Sequence, residues 1–226
     1  MAERGRAAQQ APVAGRDYAG FPAQNLPARG TWFRTHRLRV PSADRGAWYF
    51  SSSPPEAPAA ESGRFDLPAP SGTCYLASTA EAAVRELTHP FYVKNGWVPA
   101  PLITGRVVSA LGLQQACIAA DVSHADAASF RVSAELTTMS SYAITQAWAR
   151  AFDSVGFGAV IAALRFSPGQ DRGLALFDDA GSPDPGWPVA AAPVPVVGLA
   201  QAMDMQVVDA PDREEIEFAE PDSCVR

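Results

Sequence analysis

The 226 residues include one lysine, three histidines and three cysteines. Cys74, Cys117 and Cys224 are odd in number and far apart, with no CxxC pair and no histidine close by, so neither a disulfide framework nor a zinc site is indicated. His36, His89 and His124 are likewise isolated from one another. No uninterrupted apolar run approaches the roughly 18 residues of a membrane span. No apolar stretch follows the basic N-terminal residues, as a secretory leader would require. The expectation is a cytoplasmic protein without a membrane partner. The chain carries no P-loop, G-x-G-x-x-G, G-x-S-x-G or HExxH pattern. Positive charge is also short: 18 basic residues face 24 acidic ones, for a net charge of −6. That balance argues against nucleic acid as a general partner, because such binding rests mainly on phosphate neutralisation. With Lys94 the only lysine, arginine carries nearly all the positive charge. Arginine is the side chain better suited to bidentate phosphate contacts.

A 47% hydrophobic share is enough for one buried core, and the length suits one substantial domain. Residues 1–28, rich in Ala, Gly, Pro, Arg and Gln without apolar periodicity, read as a flexible segment or loosely docked arm. Residues 211–226 hold six acids and read as a poorly ordered acidic tail, leaving 29–210 as the domain. Pro-rich loops are expected at 54–58, 68–70 and 183–195.

Short strands are expected at 31–35, 48–51, 73–77, 102–108, 159–163, 174–177 and 205–208. Ser78-Thr79-Ala80-Glu81 has the S-x-x-E form of a capping box. The helix it opens should run to about His89, where Pro90 opposes continuation. A second helix is expected over 141–155, where Ile144, Trp148, Phe152 and Val155 share one face and Gly156 or Gly158 supplies the stop. Strands outnumber helices without βαβ alternation, which favours an α+β fold.

Against that background, Arg64, Tyr75 and Glu86 fall at two successive intervals of eleven residues, on an expected loop, strand and helix respectively. Arg64 sits between Gly63 and Phe65, where a flexible loop can bring a guanidinium to an anion. Tyr75 faces away from its neighbours Cys74 and Leu76. Glu86 shares a helical face with Ala82 and Ala83, whose small side chains leave room beside the carboxylate. Each residue also has an ordinary reading: a loop charge, a core tyrosine, a glutamate at the edge of an amphipathic helix.

Together with Phe33-Arg34-Thr35, Tyr75-Leu76-Ala77, Ala82-Ala83-Val84-Arg85-Glu86, Thr145-Gln146-x-Trp148-Ala149, the strand from Gly158 to Arg165 and Ala175-Leu176-Phe177, these pieces resemble the RES-domain family over roughly residues 30–180. Members degrade NAD+ and often act as toxins of toxin–antitoxin pairs. The resemblance implies an ADP-ribosyltransferase-like core of mixed and antiparallel strands forming a cleft, with a few flanking helices. By that likeness Glu86, Arg34 and Tyr75 would be catalytic, and Arg34, Arg64, Phe65, Tyr75 and Arg165 would bind substrate. NAD+ would be the substrate, with no metal and no separate cofactor, and a cognate antitoxin would be the protein partner. One departure stands out. The family's serine before an arginine aligns with Leu164-Arg165, leaving Ser167, Ser140 or Ser141 as substitutes or the serine missing. The expected reaction is cleavage of the nicotinamide–ribose bond, with water or phosphate as acceptor. A catalytically weakened NAD-binding or interaction module and a protein ADP-ribosyltransferase are the alternatives.

Overall fold

The computed structural model describes residues 9–38, 46–53, 62–183 and 186–209. The expected loop at 54–58 and the acidic tail at 211–226 lie outside the described residues.

The centre of the fold is an eight-stranded sheet. Its strands are β1 (Ala23–Leu26), β2 (Thr31–Arg37), β3 (Ser71–Ala77), β5 (Arg106–Gly112), β6 (Cys117–Asp121), β7 (Ala159–Ala163), β8 (Arg172–Asp179) and β9 (Val194–Pro195), arranged in the order β1-β6-β7-β8-β3-β2-β5-β9. Only β6 and β7 run parallel; the other neighbours are antiparallel. β4 (Val98–Pro99) and β10 (Val207–Val208) make a separate parallel pair. The helices are α1 (Ala80–Asn95), α2 (Ala100–Ile103), α3 (Glu135–Thr138), α4 (Tyr142–Ser154) and α5 (Val196–Ala202), with a 3-10 helix at Ala125–Phe130. The α+β class and the mixed sheet with flanking helices are those expected.

Alternation along the central strands divides the core. Cys74 and Leu76 of β3 and Leu174 and Leu176 of β8 pack with Trp48 and Phe50 on one face. On the other face, Tyr75 and Ala175 pack with α4, whereas Ala77, two residues beyond Tyr75, packs with α1 and α5. β3 is therefore the strand over which the two helical clusters meet.

Helix α4 forms where its apolar stripe predicts it. Trp148 and Phe152 are buried, Ile144 and Val155 pack against the same cluster, and Gly156, at φ +93°, ends the run. Burying such aromatic side chains stabilises the fold by about 1.5–3 kcal/mol each. Helix α1 differs from expectation at both ends. Its cap is Thr79, whose hydroxyl accepts from the Ala82 amide at 3.1 Å, while the Ser78 hydroxyl accepts from the Arg172 amide at 2.9 Å instead. The helix also continues past Pro90 to Asn95. Its last turn is held by Tyr92, which packs against the α1/α5 cluster, and by Gly96, whose amide reaches the Tyr92 carbonyl at 2.7 Å.

Other expectations are corrected. The strand expected at 102–108 begins only at Arg106, because Ala100–Ile103 forms a helical turn whose Ala100 carbonyl accepts from the Thr104 hydroxyl. Of the strand expected at 205–208, only Val207–Val208 forms one. Residues 48–51 contribute isolated bridges at Phe50 and Ser51. Strands β1 and β6, with the sequences AQNL and CIAAD, lack a run of β-branched residues that would announce them.

The largest departure is at the N-terminal side. From Gln9 onward, the segment expected as a loose arm is built into the fold. Tyr18 and Phe21 are buried, with ring centroids 5.2 Å from Trp148 and 4.7 Å from Phe152 respectively, and the Trp148 indole donates to the Gln10 carbonyl at 2.9 Å. Two isolated aromatics have no periodicity to reveal them; their environment comes from α4 and from Phe130 of the 3-10 helix, whose ring centroid is 5.0 Å from that of Phe21. Phe21→Ala is accordingly expected to cost about 3–5 kcal/mol. Urea unfolding is the measurement, and a cost below about 0.5 kcal/mol, typical of an exposed arm, would contradict this packing.

Candidate active site

The loop from Gly63 to Asp66 is held almost entirely by side-chain bonds, one set from its own Asp66 and the rest from Tyr75, Thr73 and α4. The Asp66 carboxylate accepts from the Gly63 amide at 2.6 Å and from the Tyr75 hydroxyl at 2.7 Å. That hydroxyl accepts in turn from the Phe65 amide at 2.8 Å. From α4, the Gln146 side chain donates to the Gly63 carbonyl at 3.0 Å, and the Thr145 hydroxyl donates to the Arg64 carbonyl. The Thr73 hydroxyl donates to the Phe65 carbonyl at 2.9 Å. Asp66, Thr73 and Thr145 are buried. Glycine is required at position 63, since a Cβ would lie 2.4 Å from both an Asp66 carboxylate oxygen and the Tyr75 oxygen.

The Arg64 side chain leaves this loop toward α4, donating to the Met139 carbonyl, with its guanidinium carbon 5.2 Å from the centre of the Tyr142 ring. Burial lowers its pKa, and Arg165 adds to that, while Tyr142, Tyr75 and Glu86 favour the charged form. Arg64, Arg165 and Glu86 thus feel one another's charge.

Glu86 comes from α1. One of its carboxylate oxygens accepts from the Phe166 amide at 2.7 Å, in the loop between β7 and β8. Burial is the main influence on the carboxyl and raises its pKa above the ordinary value; the Phe166 amide, Arg64 and Arg165 oppose this. Among the described residues no ion pair joins Glu86 directly to either arginine. The carboxylate therefore keeps acceptor capacity for a ligand. Arg165 lies over the neighbouring Phe166 ring, 5.1 Å from its centre. Burial and the Asp66 carboxylate push the Tyr75 phenol well above its ordinary pKa, so it stays protonated.

Arg64, Glu86 and Arg165 thus lie within electrostatic reach of one another, and Tyr75 within reach of Arg64, but not all the expected residues join them. Arg34 is turned to the opposite face of the sheet, where it donates to the carbonyls of Ala47 at 3.1 Å and Tyr49 at 3.0 Å and to the Cys74 sulfur at 3.0 Å. Cys74 and Tyr75 are adjacent on β3, so a side chain bonded to the first cannot serve the face of the second. Arg34 fastens the 47–49 segment to the sheet. Phe65 is buried in the α4 cluster and offers its ring to the core rather than to a ligand.

Of the three serines considered as substitutes, Ser140 and Ser141 are exposed at the start of α4. Ser167 follows Phe166, is only 2% exposed, and among the described residues its hydroxyl has no hydrogen-bond partner. Leu164 packs with the α1/α5 cluster, lying so close over Gly173 that a Cβ there would come within 2.6 Å of it. Residues not anticipated for the site are Asp66 and Tyr142, along with the roles of Thr145 and Gln146. Nothing local distinguishes Asp66 from any acid that follows a turn.

The fold and site define an α+β protein with a glutamate and two arginines gathered where two helical clusters meet over a central strand. The chain belongs to the RES-domain family, whose domain model matches residues 55–196. Among solved structures, it is similar to a chain of the crystal structure of the M. tuberculosis MbcT–MbcA toxin–antitoxin complex, with a TM-score of 0.56 and 14% identity over 79% of this chain and 90% of that one. No curated protein matches the sequence.

The raised carboxyl at Glu86 makes a stability prediction with a definite sign. Its ionisation opposes folding, so the cost is absent below the unfolded-state pKa and grows as pH rises through the higher native value. Glu86→Gln is expected to melt at or above the wild-type temperature near neutral pH, with the advantage disappearing by about pH 4. Thermal denaturation across pH checks this, and a clear loss of stability at neutral pH would contradict it.

Proposed function

We propose that this protein consumes NAD+ by cleaving the bond between nicotinamide and its ribose, with water or inorganic phosphate as acceptor, and acts as the toxin of a toxin–antitoxin pair. The observation that carries this reading is that Arg64, Arg165 and Glu86 lie within electrostatic reach of one another, with Tyr75 in reach of Arg64, inside a RES domain. NAD+ presents a diphosphate, a cationic ring and a ribose that develops positive charge as nicotinamide leaves. Arg64 and Arg165 suit the diphosphate, as charge-assisted donors do. The half-buried Tyr75 ring suits the flank of the cationic nicotinamide. Glu86 suits the ribose, accepting from its hydroxyls and stabilising the oxocarbenium-like transition state. Departure of nicotinamide neutralises its own charge, so the step as written requires neither a metal nor a further cofactor. Arg34 is left out of it, because its side chain lies on the far face of the sheet, where its Nη1 donates to Ala47, Tyr49 and Cys74.

The partner in this reading is a small antitoxin that covers the cleft, and the location is the cytoplasm, where NAD+ is plentiful. The similarity to a chain from a toxin–antitoxin complex supports the partner. Among the described residues no helix is long and apolar enough to cross a membrane. One observation favours a second reading, that of a weakened NAD-binding module. Leu164 stands where the family serine aligns, with its side chain in the α1/α5 cluster.

A timed assay of nicotinamide release from NAD+, with and without phosphate, separates these readings. Wild-type protein is expected to release nicotinamide, and Glu86→Gln to slow release by about 100-fold or more, the scale seen when one transition-state-stabilising group is removed. The rate should fall on acidification at a pH above the ordinary glutamate range, because the carboxylate must be ionised to act. NAD+ binding with no product over hours favours the second reading. Transfer of labelled ADP-ribose to protein would replace both with an ADP-ribosyltransferase.

A further inference from the structure

We infer that Asp66 is the positioning residue of this site: its carboxylate, acting through the Gly63 amide and the Tyr75 hydroxyl, sets the loop that aims Arg64, and the Tyr75 hydroxyl serves this clamp rather than proton transfer. The inference rests on the NAD+ reading above for its consequence in binding, but its geometry is independent of that reading.

The loop backbone has little regular structure of its own. Its internal bond, from the Asp66 amide to the Gly63 carbonyl, is long at 3.4 Å. Five of its backbone groups bond to side chains: the Gly63 amide to Asp66, the Gly63 carbonyl to Gln146, the Arg64 carbonyl to Thr145, the Phe65 amide to Tyr75 and the Phe65 carbonyl to Thr73. Buried backbone groups need partners, so the placement of these side chains dictates the path of the chain. Phe65 goes into the core and Asp66 turns back on the loop, which leaves Arg64 as the side chain sent outward.

Asp66 is the member that joins the two ends. One oxygen takes the Gly63 amide and the other takes the Tyr75 hydroxyl, at 2.6 and 2.7 Å. The hydroxyl has only one hydrogen to give and gives it to Asp66, while accepting from the Phe65 amide. Arg64 is thus bracketed, with the amide before it and the amide after it both tied to the Asp66–Tyr75 pair. An asparagine at 66 presents one carbonyl oxygen where the aspartate presents two, so it can keep the Gly63 amide only by meeting the Tyr75 oxygen through its NH2, which reverses that bond and leaves the Tyr75 hydrogen without Asp66. A phenylalanine at 75 keeps the ring beside the site but releases the Phe65 amide and leaves one Asp66 oxygen without its partner.

The test uses full-length Asp66→Asn, Tyr75→Phe and the double variant. The first readout needs no ligand: hydrogen exchange of the Gly63 and Phe65 amides, and the side-chain Nε–H resonance of Arg64, which the Tyr142 ring current marks. Both single variants are expected to lose amide protection and shift the Arg64 resonance, and the double to do no more than the singles, because the pair acts as one unit. The second readout is NAD+ turnover. Each single variant is expected to raise KM by about tenfold and to lower kcat by less than about threefold, the scale of losing one hydrogen bond to a charged group. Preserved amide protection and an unmoved Arg64 resonance in Tyr75→Phe overturn the clamp. A Tyr75→Phe variant with normal KM and a large fall in kcat overturns the assignment of its hydroxyl to positioning. If Asp66→Asn does not fold, Tyr75→Phe alone decides. Wild-type protein that neither binds nor cleaves NAD+ defeats the proposed function, while the exchange and resonance data still judge the clamp.

Discussion

Strand β3 imposes the constraint on which the site depends. Side chains on a strand alternate, so Thr73, Tyr75 and Ala77 look toward the helices while Cys74 and Leu76 look toward Trp48 and Phe50. Everything that can reach Tyr75 must therefore come over the helical face: the 63–66 loop, α4 from one side and α1 from the other. Arg34, paired through its strand to the opposite face, is committed to the 47–49 carbonyls and the Cys74 sulfur, however well its residue type suits a diphosphate. The two faces share one backbone but not one function.

On the helical face, charge is placed where water is partly excluded. Burial works against ionisation of Glu86 and of Arg64 alike, and each is returned toward its charged form in part by the other. Such an arrangement spends stability to hold a carboxylate and guanidinium groups in partly buried surroundings. The unpartnered Ser167 hydroxyl beside Phe166 belongs to the same pattern, being a polar group withdrawn from water without compensation. The start of α1 is by contrast well satisfied: Asp171 accepts from Ser78, Thr79 and Arg85, tying it to the loop before β8.

Local signals were legible where one element supplies its own evidence. The α4 stripe, the Gly156 stop, and the strands carrying Arg34, Tyr75 and Ala159 to Ala163 could be placed from spacing and residue type alone. Signals failed where the environment lay far along the chain. Pro90 opposes a helix locally, but Tyr92 packing and the Gly96 cap carry α1 past it. Tyr18 and Phe21 have no pattern around them, and α4, over a hundred residues later, makes them core. In the site, the spacing of Arg64, Tyr75 and Glu86 was visible, whereas Asp66 was not, because its importance comes from the Tyr75 hydroxyl and not from its neighbours.

The amino-acid sequence by itself determined the class of the fold and the kinds of side chain available, because periodicity, capping and turn chemistry act over a few residues. It also carried the RES-domain pattern, since that pattern is an ordered set of short motifs. Only the tertiary structure decided which arginines share a surface with Glu86. That choice depends on strand register and on which face each side chain takes, and a displacement of one residue in a strand reverses it.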